Sequence, residues 1–318
     1  MSQIIQVVNL TKRLHERVII DDLSLAVEEG DIFGFIGPNG AGKTTTIRIM
    51  ATLLAPTSGD VLIDGQSVSA APHRVRKSIG YLPDGCGLYA DMTTWEYLDF
   101  FGACHGVHHT ERAKLIVALL ELVDLSGWKH HQVRHLSYGM RQKLNLARAL
   151  LHDPKVLVMD NPLSGLDLYA RAEFLELLLE LSRMGKTIFL SSNNLMDVNQ
   201  ICNRVGILDA GKLVAFGSIQ TLLSRLQLTK KILIKVLGRA DYVNTILESH
   251  PQITDVVVEA ARPGEPYTSF QIDFNGEDEK IIELLTVLVR VGVQVLSFKV
   301  DRNEMEEIFI RATKGAGS

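Results

Sequence analysis

Apolar and polar residues alternate from 4 to 27 on either side of a polar stretch at 15–17, the pattern of two strands joined by a turn. Residues 31–36 (DIFGFI) are apolar after a single aspartate; they predict a short strand buried on both faces that runs straight into a glycine-rich loop. The next stretch, TTTIRIMATLL, repeats its apolar positions every three or four residues and predicts a helix. From 93 to about 151 the segments WEYLDFFGACHG, ERAKLIVALLELVDL and YGMRQKLNLARALL keep that helical period, which marks a helical insertion. Strand character returns at 155–160 (KVLVMD), 187–192 (TIFLSS) and 204–217 (RVGILDAGKLVAFG), with a helix predicted over 170–184. Buried strands alternating with helices predict an α/β domain on a parallel sheet.

After about residue 227 the composition changes. KILIKVL, YVNTILESH, ITDVVVEA, YTSFQIDF, DEKIIELLTVLVRVG and VQVLSFKV read as strand, helix, two strands, helix and strand, the order of a small ferredoxin-like α+β domain. EMEEIFIRAT is a predicted closing helix and GAGS a frayed tail. The expected division is therefore 1–227 and 228–318.

At 318 residues, 46% of them apolar, the chain has enough material for two cores. The net charge of −4 and the lack of a basic block argue against nucleic acid as a partner. Cys86, Cys104 and Cys202 have neither metal-ligand nor redox spacing and read as reduced thiols. The N-terminal residues carry charges too early for a signal peptide. No window of about twenty residues is continuously apolar, and the richest, 284–295, is interrupted by Arg290. A membrane role is expected to be peripheral, through a separate membrane subunit. His105, His108, His109, His130 and His131 fall in polar loops and read as solvated surface.

The loop at 37–45, GPNGAGKTT, is the place to look for chemistry. Gly37, Gly40 and Gly42 let backbone N–H groups curl around phosphate oxygens, with Pro38, Asn39, Ala41 and Thr45 completing the turn. Lys43 supplies a point charge, and the Thr44 hydroxyl is suited to Mg²⁺. Strand before and helix after is the context a phosphate loop requires. Asp160 ends an apolar strand, where a carboxylate holds magnesium through water; alone, it reads equally as a turn residue. Ser137 and Gly139 open a predicted helix, suited either to a γ-phosphate or to plain capping.

Taken in order, these motifs resemble the ABC ATPase family over residues 1 to about 227. The loop resembles its Walker A, 156–160 its Walker B, LSYGM (136–140) its signature and SGLD (164–167) its D-loop. The resemblance implies ATP and Mg²⁺ as ligands and a head-to-tail dimer of nucleotide-binding domains, homo- or heteromeric. In that dimer Ser137 and Gly139 complete the partner's site. It also implies an integral membrane transporter subunit seated on 91–98 and the GYLPDGCGLY stretch, and a place at the cytoplasmic face of the membrane.

Several positions depart from the family pattern. Where hydrolysing members carry a glutamate after the Walker B aspartate, this chain has Asn161, which accepts a hydrogen bond but has no useful basicity. Where they carry a switch histidine, it has Asn193. The Q-loop position is Asp84, still able to approach Mg²⁺, and the adenine-stacking position is Leu14, leaving His15 or the packing of Leu14 and Val18 to hold the base. Tyr138 and Met140 are common signature variants. The two amides favour an ATP-binding site impaired in hydrolysis; the alternative is a site whose base is Asp84 or Asp167. A non-transport ATP-dependent clamp or scaffold is the alternative function. A plain P-loop kinase or GTPase has no need of LSYGM and SGLD.

Overall fold

The computed structural model describes residues 2–85, 87–225, 230–238, 240–259, 266–276 and 278–301. The predicted helix at 304–313 and the tail after it lie outside them, as does Cys86. Contacts divide the chain into two compact units, the second beginning at Gln220.

The first unit begins with β1 (Gln3–Leu14), β2 (Arg17–Glu28), β3 (Ile32–Ile36), α1 (Lys43–Met50), β4 (Ser58–Ile63), β5 (Gln66–Ser67), α2 (Pro72–Ser78) and β6 (Ile79–Leu82). The helical insertion holds α3 (Thr94–Cys104), α4 (His109–Leu122) and α5 (Tyr138–Leu150). β7 (Val156–Met159), α6 (Leu168–Arg183), β8 (Thr187–Ser192), α7 (Leu195–Ile201), β9 (Arg204–Asp209) and β10 (Lys212–Ser218) follow. One sheet has the order β2-β1-β4-β5 and is antiparallel. The other runs β10-β9-β3-β8-β7-β6, parallel except for β10.

Every residue of β3, β7 and β8 is buried, as expected of parallel strands covered on both faces. Phe33 stacks on Phe189 with ring centroids 5.2 Å apart, tying β3 to β8. α7 lies so close to β3 that a Cβ on Gly34 would come within 2.6 Å of Val198. The register pairs Ile36 with Ser192 and Met159 with Leu190, so three strands end together at one carboxyl edge, where ligands of open α/β sheets bind.

The helix predicted after the glycine loop is shorter than its apolar period suggests. It stops at Met50 because Thr52 turns left-handed (φ 60), and the N–H groups of Leu53 and Leu54 both close onto the Arg48 carbonyl. Leu54 still packs against the core, which is why the pattern continues past the helix.

α8 (Ile219–Arg225) begins at the division, and the second unit continues with β11 (Lys230–Leu237), α9 (Ala240–Glu248), β12 (Ile253–Glu259), β13 (Tyr267–Phe274), α10 (Asp278–Arg290) and β14 (Gln294–Asp301). The strands form an antiparallel sheet of order β12-β13-β11-β14. Ile232, Ile234, Phe270 and Ile272 of that sheet pack with Leu247 of α9 and Leu284 and Leu288 of α10 in a core of their own. Among the described residues no helix is long and apolar enough to cross a membrane.

A histidine pair helps join the insertion to the sheet. His105, at the end of α3, lays its ring on His152 with centroids 4.1 Å apart, and His152 Nε2 sits 2.8 Å from the Ile79 carbonyl. Burial pushes both imidazoles below the ordinary histidine range; Arg148 adds to this at His105, and His105 adds to it at His152. Neutral rings with depressed folded-state values contribute stability above the unfolded pKa, and that contribution is lost as pH falls through the folded one. Thermal unfolding is therefore expected at lower temperature at about pH 5 than at about pH 7. His152→Gln, which keeps a donor toward Ile79, is expected to shrink that difference; an unchanged difference in calorimetry would show that the pair does not set it.

Candidate functional site

β3 delivers the chain into the 37–45 loop. Gly40 (φ 83) and Gly42 (φ 110) take left-handed conformations that a side chain would oppose, and Gly42 forms the N-terminus of α1 with no side-chain cap. The first-turn N–H groups of α1 have no intrahelical partner and are left for an anion. Lys43 folds back over the loop, its Nζ donating to the carbonyls of Gly37 (2.7 Å) and Pro38 (3.0 Å). Burial draws its pKa below the usual lysine range, and the charge of Asp160 offsets part of that.

Asp160 follows β7, is only 3% exposed, and is anchored by its N–H to the Leu82 carbonyl at 2.8 Å. Its Oδ1 accepts hydrogen bonds from Thr44 Oγ1 at 3.2 Å and from Ser191 Oγ at 2.8 Å. Ser191 Oγ in turn accepts the Asn161 N–H at 2.9 Å. Asn161 itself is left-handed (φ 49), a conformation asparagine tolerates better than most residues. Beyond it, the Ser164 N–H closes onto the Asn161 carbonyl and Gln142 Nε2 donates to the Pro162 carbonyl at 2.9 Å.

A cavity of about 330 Å³ opens over these groups. It brings together Leu14, Asn39, Gly40, Gly42, Lys43, Thr44, Thr45, Asp84, Asp160, Asn161 and Asn193 from the residues singled out in the sequence. Gly37 and Pro38 enter through the carbonyls that hold Lys43, and Ala41 is buried. Val18 does not line the cavity; alternation along β2 turns it outward, and the adjacent Ile19 lines the wall instead. Ile19 and Ser191 were not anticipated, although a hydroxyl in an otherwise apolar buried strand is a signal that something nearby needs it. A larger cavity of about 800 Å³, beside Lys143, Glu173 and Arg183, has no phosphate loop.

Ser137 and Gly139 stand apart from this cavity, at the start of α5. Ser137 Oγ accepts the Met140 N–H at 3.2 Å, so within a single chain it caps the helix. Gly139 lies against Ala170, whose Cβ would be 2.8 Å from a Cβ placed there.

An uncapped helix start behind left-handed glycines, a lysine above it, and a threonine hydroxyl beside a carboxylate suit a polyphosphate and a hard divalent cation. Fold and loop together define a P-loop nucleotide-binding domain. The ABC transporter family profile matches residues 20–164. The bacitracin transport ATP-binding protein of Bacillus licheniformis is 33% identical over 99% of this chain and 99% of its own length. The linearmycin resistance ATP-binding protein of Bacillus subtilis is 29% identical over 97% of this chain and 98% of its own. A solved ATP-binding subunit of an ABC transporter superposes with a TM-score of 0.64 at 28% identity, covering 70% of this chain and 93% of that one. The chain belongs to the ATP-binding subunits of ABC transporters. Its general function is that of an ABC ATPase, in which ATP binding is coupled to transport through partner subunits.

Asp84 tests the electrostatics of the site. Burial, with the charge of Asp160 second, raises its pKa. For a raised folded-state value the favourable contribution is full below the unfolded pKa and is lost as pH rises through the folded one, so ionised Asp84 costs the ligand-free protein stability near neutrality. Asp84→Asn is expected to raise the metal-free melting temperature near pH 7 by on the order of 1 °C. The gain should vanish once the wild-type carboxyl is protonated. A lower melting temperature, or a gain that grows on acidification, would contradict the assignment.

Proposed function

We propose that this cavity binds Mg·ATP, that ATP closes a head-to-tail dimer of nucleotide-binding domains beneath a separate integral membrane subunit, and that this chain's own site is impaired in hydrolysis. The observation that carries the reading is a contrast within one cavity: Lys43, Thr44 and Asp160 are arranged for binding, while the two neighbouring positions that serve cleavage are the amides Asn161 and Asn193. Thr44, Asp160 through water, and Asp84 are the residues that would hold Mg²⁺, whose charge offsets that of the phosphates. The 37–45 loop takes the phosphates, and Leu14 with Ile19 takes the base. Ser137 and Gly139, at the positive end of α5, complete the partner's site.

Asn161 can accept a hydrogen bond from water but cannot take its proton, so a general-base contribution of about 10²- to 10⁴-fold is forgone. Asn193 can donate to a γ-phosphate without bringing positive charge. Similarity to the bacitracin transport subunit runs the length of the chain and supports a transport system of that type, with this subunit peripheral at the cytoplasmic face. The domains are assigned as 1–227 and 228–318, the latter ferredoxin-like on the strength of its strand order and antiparallel pairing.

Single-turnover hydrolysis by the isolated chain is expected to be far below the usual enzymatic range of about 1–10³ s⁻¹. Asn161→Glu is expected to raise it by roughly 10²-fold without tightening ATP binding. Rapid turnover by the wild-type chain, left unchanged by that substitution, would overturn the reading.

A further inference from the structure

The β7–β8 ladder ends at Met159 and Leu190, and beyond it the two strands are joined by a side chain. Ser191 lies in a strand whose six residues are all buried, where a hydroxyl without partners would be costly. Its single proton goes to Asp160 Oδ1 at 2.8 Å, and its oxygen accepts the Asn161 N–H at 2.9 Å. The second bond matters because Asn161 has turned left-handed and out of the ladder, so its N–H has no strand carbonyl to meet. The first is a hydrogen bond to a carboxylate, stronger than one between neutral groups, and it meets the same oxygen that receives Thr44 Oγ1. One hydroxyl therefore sets both the rotation of the Asp160 carboxylate and the path of the chain at residue 161.

We propose that Ser191 is a positioning residue that aims Asp160 and the Asn161 turn at Mg·ATP, an inference that rests on reading the cavity as a Mg·ATP site. Neither the glycine loop nor Lys43 depends on this hydroxyl. Ser191 thus acts on the cation-dependent part of nucleotide binding and leaves phosphate binding in the absence of cation intact.

The test is ATP affinity of the full-length chain by titration calorimetry, with excess Mg²⁺ and with EDTA, for wild type, Ser191→Ala, Ser191→Thr and Ser191→Val. Thr and Val have similar shapes and share any packing cost, so the difference between them isolates the hydroxyl. Ser191→Ala and Ser191→Val are expected to lose about tenfold in affinity with Mg²⁺ and to match wild type in EDTA, while Ser191→Thr retains the Mg²⁺-dependent affinity. Thr and Val behaving alike, or affinity falling in parallel with and without Mg²⁺, would overturn the positioning role. A wild-type chain whose ATP binding ignores Mg²⁺ would instead overturn the reading of the cavity. Normal Mg²⁺ dependence in both wild type and Ser191→Ala overturns the role of Ser191 alone.

Discussion

The carboxylate of Asp160, held between the hydroxyls of Thr44 and Ser191, is the contact on which the rest of the site depends. Its two partners lie 116 and 31 residues away in sequence. They meet only because β3, β8 and β7 are neighbours in a parallel sheet and finish at a common edge. That alignment rests in turn on strands buried on both faces, which is what their unbroken apolar runs are for. Packing of Phe33 on Phe189 and the close approach of α7 to Gly34 hold the two strands that carry the loop and Ser191. Core and site are thus one construction: the apolar sheet places the polar groups.

The same geometry accommodates the proposed impairment of cleavage without disturbing the binding groups. The structural duties of residue 161 fall on its backbone: its N–H goes to Ser191 and its carbonyl receives Ser164. Only the left-handed turn constrains its side chain, and asparagine suits that turn. Exchange of a carboxylate for an amide there leaves the Thr44–Asp160–Ser191 arrangement in place. Asn193 lies beyond the end of β8, exposed on the cavity wall.

Long apolar runs and the strand–loop–helix order were legible in the sequence because burial on two faces and helical periodicity leave distinct patterns. So was the βαββαβ order of the second unit, in which β11 and β13 alternate buried and more exposed positions. β4, β5, α2 and β6 were not: they are short, and β4 is polar at its start, so neither period has room to emerge. The early end of α1 was hidden because Leu54 keeps the apolar pattern going by packing against the core without being helical. Glycines, lysine and threonine of the loop announced themselves by type and spacing. Ile19 and Ser191 did not, because their roles come from which strand lies beside which. Ser137 shows the complement: in one chain its hydroxyl caps a helix, and any phosphate role waits on a second domain.

Under the proposed function this chain holds ATP while cleaving it poorly, and the most direct measurement identifies the nucleotide it retains. The purified chain is incubated with Mg·ATP, separated rapidly from free ligand, denatured, and its bound nucleotide resolved by chromatography over time. Intact ATP persisting in the bound fraction is the predicted result; conversion of that fraction to ADP within the first measurable interval would contradict it.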